Sequence, residues 1–125
     1  MILDSNLIIY SAQPEYPGLR RLVSADTCSV SAITVVEVLG YHKLSQLVRT
    51  QFEKFFAAAN VLPITDAVVA SAVALRQARK MSLGDALIAA RALLARRPLL
   101  THNVKDFAWI AGLTVVDPLA GGDPA

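Results

Sequence analysis

Short apolar runs with no polar alternation of their own take turns along this chain with longer segments whose apolar residues recur at helical spacing. Ile2-Leu3 is the first run; the polar corner Asp4-Ser5-Asn6 follows, and Leu7-Ile8-Ile9-Tyr10 opens a helix. Pro14 and Pro17-Gly18 read as a loop. A second run, Thr27 to Val30, ends at Ser31-Ala32, and Thr34-Val35-Val36-Glu37 opens another helix reaching about Gly40. Beyond Leu44, the residues Leu47, Val48, Phe52, Phe55, Phe56 and Ala59 fall on one face, which predicts a helix over Ser45 to Ala59. Val61-Leu62-Pro63-Ile64 is a brief extended piece, after which Thr65-Asp66 offers an N-cap to an alanine-rich helix ending near Arg79. Lys80 to Ser82 is a loop, Leu83 to Ala95 a helix, and Pro98-Leu99-Leu100-Thr101 a buried strand. Asn103 to Asp106 begins a short helix carrying Phe107 and Trp109, closed by Gly112, and Leu113 to Val116 is the last strand.

Strands without alternation, interleaved with helices, predict an α/β layer fold whose sheet is mainly parallel, has four to five short strands, and is covered on both faces. In such folds the helix starts that follow the strands gather at one sheet edge, where ligands bind. The 125 residues suit one domain, taken as 1–120, with Gly121-Gly122-Asp123-Pro124-Ala125 as a flexible tail.

Composition narrows the class. Hydrophobic residues make up 54% against 18% charged, which excludes disorder and leaves apolar surface for a partner such as a second copy. The longest apolar stretch, Ala67 to Leu75, is too short to span a bilayer, and Met1-Ile2-Leu3-Asp4 has no basic leader, so a cytoplasmic protein is expected. Cys28 alone supplies neither a disulfide framework nor a zinc signature. A net charge of +2 does not by itself announce nucleic-acid binding.

Four of the ten carboxylates stand apart. Asp4 follows a buried strand, Glu37 and Asp106 lie in first helical turns beyond such strands, and Asp85 opens a buried alanine-rich helix. Each alone also reads as a helix cap: Thr34 to Glu37, Ser82 to Asp85 and Asn103 to Asp106 match capping boxes or close variants, and Asp4 suits an N-cap. A parallel sheet, however, brings such helix starts to one crevice, and caps do not need to converge. Crowded carboxylates repel, and an oxygen-only donor set without nearby histidine or thiolate favours Mg²⁺ or Mn²⁺. Such ions suit phosphodiester hydrolysis.

Met1-Ile-Leu-Asp4-Ser-Asn6, Ser31-Ala-Ile-Thr34-Val-Val-Glu37-Val, Gly84-Asp85-Ala-Leu-Ile-Ala-Ala90 and Leu100-Thr101-His-Asn103-Val-Lys-Asp106-Phe107 resemble, in order, the four signature blocks of PIN-domain nucleases. The pattern is most similar to VapC toxins of bacterial toxin–antitoxin pairs. The resemblance implies a three-layer α/β/α domain and a Mg²⁺ or Mn²⁺ site held by Asp4, Glu37, Asp85 and Asp106. It also implies endonucleolytic cleavage of RNA, a homodimer and a cognate antitoxin. Thr101 and Asn103 would line the site, and Asn6 would steady the loop after Asp4. Position 5 is Ser where the family often has Thr, which keeps the hydroxyl.

Arg76, Arg79 and Lys80, three and four residues apart, share a face and suit RNA phosphates as well as a plain solvated surface. Arg20-Arg21 and Arg96-Arg97 read as surface charge; His102 invites a general-base reading but, like His42, suits the surface better, and Phe107 with Trp109 could stack a base but read as core anchors. Alternatives are an RNA-processing PIN nuclease without an antitoxin, or a receiver-like or haloacid-dehalogenase-like phosphoryl-transfer protein. A receiver wants paired acids after the first strand, and the phosphatase a second Asp where this chain has Asn6.

Overall fold

The computed structural model describes residues 1–124. Five strands form one all-parallel sheet in the order β3-β2-β1-β4-β5. They are β1 (Ile2–Leu3), β2 (Ser29–Ser31), β3 (Asn60–Leu62), β4 (Leu99–Leu100) and β5 (Val115–Val116). Six helices flank the sheet: α1 (Ser5–Ser11), α2 (Pro17–Val23), α3 (Ala32–Leu39), α4 (Gln46–Ala58), α5 (Asp66–Ala78) and α6 (Leu83–Ala95). The expected α/β class with a parallel sheet is what the chain adopts. None of its described helices is long and apolar enough to cross a membrane.

Side-chain alternation on the two-residue strands divides the interior. Leu3, Val30 and Leu100 point to one face, where they pack with Leu7, Ile8, Leu19, Val38, Phe52 and Phe56 from α1 to α4. Ile2 and Leu99 point to the other, against Ile88, Ala89 and Ala92 of α6 and against Phe107. The small residues Ala72, Ala86 and Ala90 then let α5 pack on α6. Burial on both faces is why the strands read as unbroken apolar runs.

The helices α4, α5 and α6 start where capping chemistry places them. Ser45, Thr65 and Ser82 each accept a hydrogen bond from a backbone N–H three residues on, at 3.1–3.2 Å. Two local expectations are corrected. Pro17-Gly18 begins α2 instead of a loop, because proline at the first helical position gives up only an N–H that has no intrahelical partner. The C-terminal segment is tied down instead of free: the Asp123 carboxylate accepts from the N–H groups of Gly18 and Leu19 at 2.8 and 2.9 Å and so caps α2. Of the expected tail, Ala125 lies outside the described residues.

Candidate active site

The register of the central strands builds the site's floor. Ile2 pairs with Leu99 and Leu3 with Leu100, and the ladder runs one step further, since the Asp4 N–H donates to Leu100 O at 2.9 Å. Thr101 is tied likewise to Val116 O at 2.9 Å. Asp4 and Thr101 therefore stand side by side at the carboxyl ends of β1 and β4, where the chain connections diverge. The buried Thr101 hydroxyl donates to Asp4 Oδ2 at 2.7 Å across 97 residues of sequence. It also accepts from the Asn103 N–H at 3.0 Å, which fixes the loop leading to Asp106.

Glu37 approaches from α3. The Ser5 hydroxyl donates to Glu37 Oε1 at 2.7 Å and lies 3.2 Å from the Thr34 hydroxyl. Asp85 reaches in from the first turn of α6. Gly84 is what permits the approach of these two elements, because a Cβ there would overlap the Glu37 carboxylate. Asp106 closes a 3₁₀ turn (Val104–Asp106) after β4.

The capping alternative fails for three of the four acids. At the N-cap of α1, Asp4 makes no side-chain cap bond. The cap of α3 is Ser31, which accepts from Ile33 N, so Glu37 sits in the second turn and not, as expected, in the first. Asn103 makes no side-chain cap ahead of Asp106. Only Asp85 follows a true cap, Ser82.

Electrostatically the four acids act on one another. Asp4 is only 3% exposed, and burial lifts its carboxyl above the ordinary carboxylate range. The charges of Glu37 and Asp106 add to that lift, against hydrogen bonds from Thr101 and the Ser5 N–H. The Asp85 carboxyl is pushed up to about 6, first by burial and next by the charge of Asp4, with Asp106 and Glu37 adding and Ser82 opposing. The ion pairs among the described residues are Arg49–Glu53 and His102–Asp117, so none neutralises these acids. His102 is exposed and turned toward Asp117, as a surface residue.

The donor set suits a hard divalent cation, being carboxylate and hydroxyl oxygen carrying uncompensated negative charge. Among the described residues no three His, Cys, Asp or Glu side chains are already drawn into a metal cage. Glu37 and Asp106 are exposed.

Beside Asp85 and Asp106 opens a groove of about 600 Å³ lined by Arg76, Arg79, Lys80, Met81, Ser82 and Trp109. The three cations expected to share a helix face thus border the acids, although Arg79 and Lys80 lie just past the end of α5. Trp109 departs from the expectation of a core anchor. It is half-buried and faces the groove, whereas Phe107 is fully buried. Asn6 lies within α1 and not in a loop, and it is Ser5 that braces Glu37. The bracing by Ser5 and Thr34 went unforeseen; their hydroxyls flanking the acid positions were the available signal.

The PIN domain family model matches residues 1–113. Among solved structures, a toxin–antitoxin complex from Klebsiella pneumoniae shares 32% identity at a TM-score of 0.73, covering 94% of this chain and 96% of that one. VapBC-1 from nontypeable Haemophilus influenzae shares 26% at 0.74, with 93% and 96% covered. DNA-bound VapBC from Salmonella typhimurium, at 22% and 0.78 with 93% and 96% covered, shares the fold. No curated protein matches the chain. With the family match spanning almost all of its length, over a parallel sheet that carries its acids on one edge, the chain belongs to the PIN-domain family.

Proposed function

We propose that this chain is a metal-dependent endoribonuclease and the toxin of a VapBC-like toxin–antitoxin pair. The observation that carries the catalytic part is the convergence of four mutually repelling acids, unpaired with any cation, at the carboxyl edge of the sheet. Asp4, Glu37, Asp85 and Asp106 would hold Mg²⁺ or Mn²⁺. When bound, such an ion activates water and neutralises charge developing on a phosphoryl group. The protein's own residues do the positioning. Thr101 fixes Asp4 Oδ2, Ser5 aims Glu37, and Asn103 anchors the turn that presents Asp106. Arg76, Arg79 and Lys80 supply phosphate contacts along the adjoining groove.

The toxin role is supported by the 32% identical complex, described as a toxin–antitoxin assembly. It fits an apolar rim as well: Val36 and Leu83, the sequence neighbours of Glu37 and Gly84, are 65% and 57% exposed. An antitoxin would cover this rim and place a basic side chain among the acids. Exposed Val69 and Val73 on α5 leave further apolar surface for a homodimer in the cytoplasm. The test is incubation of total RNA with the protein and Mg²⁺, with and without chelator, alongside the Asp4→Asn variant. Cleavage that needs the metal and Asp4 and leaves 5′-phosphate ends supports the reading; cleavage in chelator, or cyclic phosphate ends, refutes it.

A further inference from the structure

Away from the acids, around the starts of β2 and β3, the space between the sheet and its helices is not filled. Leu3, Cys28 and Val30 turn toward the layer formed by α1 to α4, and the last turn of α4 lies over them. That turn brings Phe55 but then only Ala58 and Ala59. Three short side chains, Cys28 and the two alanines, therefore face one another across a recess of about 210 Å³, with Val23 from the end of α2 at its side. Protein interiors are close-packed, and atoms that line a void forgo the dispersion contacts a neighbour would give. A dry apolar cavity of about 150 Å³ takes up benzene, so this recess has the size for a small aromatic molecule.

The walls and the mouth narrow the chemistry. Cys28 spends its weak thiol donor on Leu22 O at 3.3 Å, which leaves the walls apolar. Asp26 and Asn60 stand exposed at the mouth. Asn60 Nδ2 donates to Ser29 Oγ at 2.9 Å, so the amide offers its carbonyl oxygen outward, and Asp26 has no cation partner among the described residues. Both groups accept hydrogen bonds. Beside Cys28 the Met1 ammonium donates to Thr27 O at 2.6 Å, and its charge disfavours a second cation there.

We propose that this recess is a binding site for a small neutral aromatic molecule bearing one N–H or O–H donor. The ring lies between Leu3, Val23, Val30 and Phe55, and the donor faces Asp26 and Asn60. The site is separate from the acids and does not depend on the nuclease reading. Its floor nonetheless belongs to the strands that build the acid edge, since Leu3 precedes Asp4 and Val30 precedes Ser31, the cap of α3.

The probe is 5-fluoroindole, followed by the broadening of its ¹⁹F resonance on addition of the whole protein in chelator. Binding is expected with a Kd of roughly 10 µM to 1 mM, and unlabelled indole should displace the probe. Benzothiophene has the same shape without a donor and should compete at least roughly threefold less well. Tryptamine, which adds an ammonium, should also compete less well than indole. In a ¹H–¹⁵N spectrum the shifts caused by indole should concentrate at Leu3, Cys28, Val30 and Phe55. Ala59→Leu fills the recess from α4 and should weaken binding at least about tenfold without lowering the melting temperature. If that variant does not fold, Ala58→Leu, at an exposed position on the same rim, serves in its place. Absence of broadening, unchanged affinity in the filled variant, or shifts centred elsewhere overturns the site. Benzothiophene or tryptamine competing as well as indole overturns the ligand class.

Discussion

Replacing Asp85 with Asn separates a helix cap from a member of a charged cluster, because the two roles give opposite signs in stability. As a cap-box acid at the start of α6, Asp85 would stabilise the fold by about 0.3–1 kcal/mol through the helix dipole, and the variant would melt lower. The Ser82 cap itself survives the change, since it accepts from the backbone N–H of residue 85. As a cluster member, the carboxyl is pushed up from 3.8 to about 6. Each tenfold in acidity is worth about 1.36 kcal/mol, so the full displacement corresponds to about 3 kcal/mol against the ionised fold. The side chain is only partly buried, and solvent screening reduces this to about 1–1.5 kcal/mol. The cluster effect wins, and metal-free Asp85→Asn should melt a few degrees above wild type at pH 7.5. The pH dependence has a definite sign. A raised carboxyl favours the fold fully below about 3.8, loses that contribution as pH rises to about 6, and gives none above. The advantage of the variant should therefore vanish below about pH 4, open as pH rises from 4 to 6, and be full above that. Added Mg²⁺ at a hundred times its dissociation constant should stabilise wild type by about 2.7 kcal/mol and the variant much less. The assay is thermal melting of both proteins across pH in chelator and in Mg²⁺, beside RNA cleavage. A variant that melts lower at pH 7.5, gains equally from Mg²⁺ and still cuts RNA would refute the reasoning.

Three further outcomes are expected. Thr101→Val keeps the shape but strips the buried Asp4 of its side-chain donor; urea denaturation at neutral pH should show a loss of about 1–3 kcal/mol, and cleavage should fall. Gly84→Ala adds a good helix former but forces Glu37 aside, so cleavage should be lost while the melting temperature stays close to wild type; retained cleavage would show that the approach is not needed. Asp123→Ala uncaps α2 and should cost about 0.5–2 kcal/mol in thermal melts with cleavage by the folded protein unchanged.

Elements that carry their own instructions were legible in the sequence. Ser45, Thr65 and Ser82 announce α4, α5 and α6 because a cap is a contact over three residues, and the strands declare themselves by apolar runs. What depended on distant partners was not. Pro17-Gly18 reads as a breaker until Asp123, 105 residues from Gly18, is seen to satisfy the helix start. The bond from Thr101 to Asp4 follows from the sheet order, which no local pattern encodes. Glu37 reads as a first-turn residue because Thr34 has capping-box spacing, whereas Ser31 begins the helix. Asp4, Glu37, Asp85 and Asp106 stand out by residue type and position and Arg76, Arg79 and Lys80 by spacing, whereas Thr101 and Asn103 enter only through the resemblance to the family's signature blocks. Trp109 was missed as a groove residue, although residues two apart on a helical turn do not share a face.

The sheet order also sets a timetable for synthesis. β1 is made first and lies at the centre, yet its neighbour β4 leaves the ribosome nearly a hundred residues later, together with the hydroxyl that holds Asp4. Until then one edge of β1 is bare, and Asp106 has not been made. Domains fold as units once their strands are available, and pairing across so long a separation waits for chain closure. A growing chain, or a fragment broken off before β4, thus lacks the assembled cluster. The proposed cutting activity is withheld from the growing chain until β4 and Asp106 have been made.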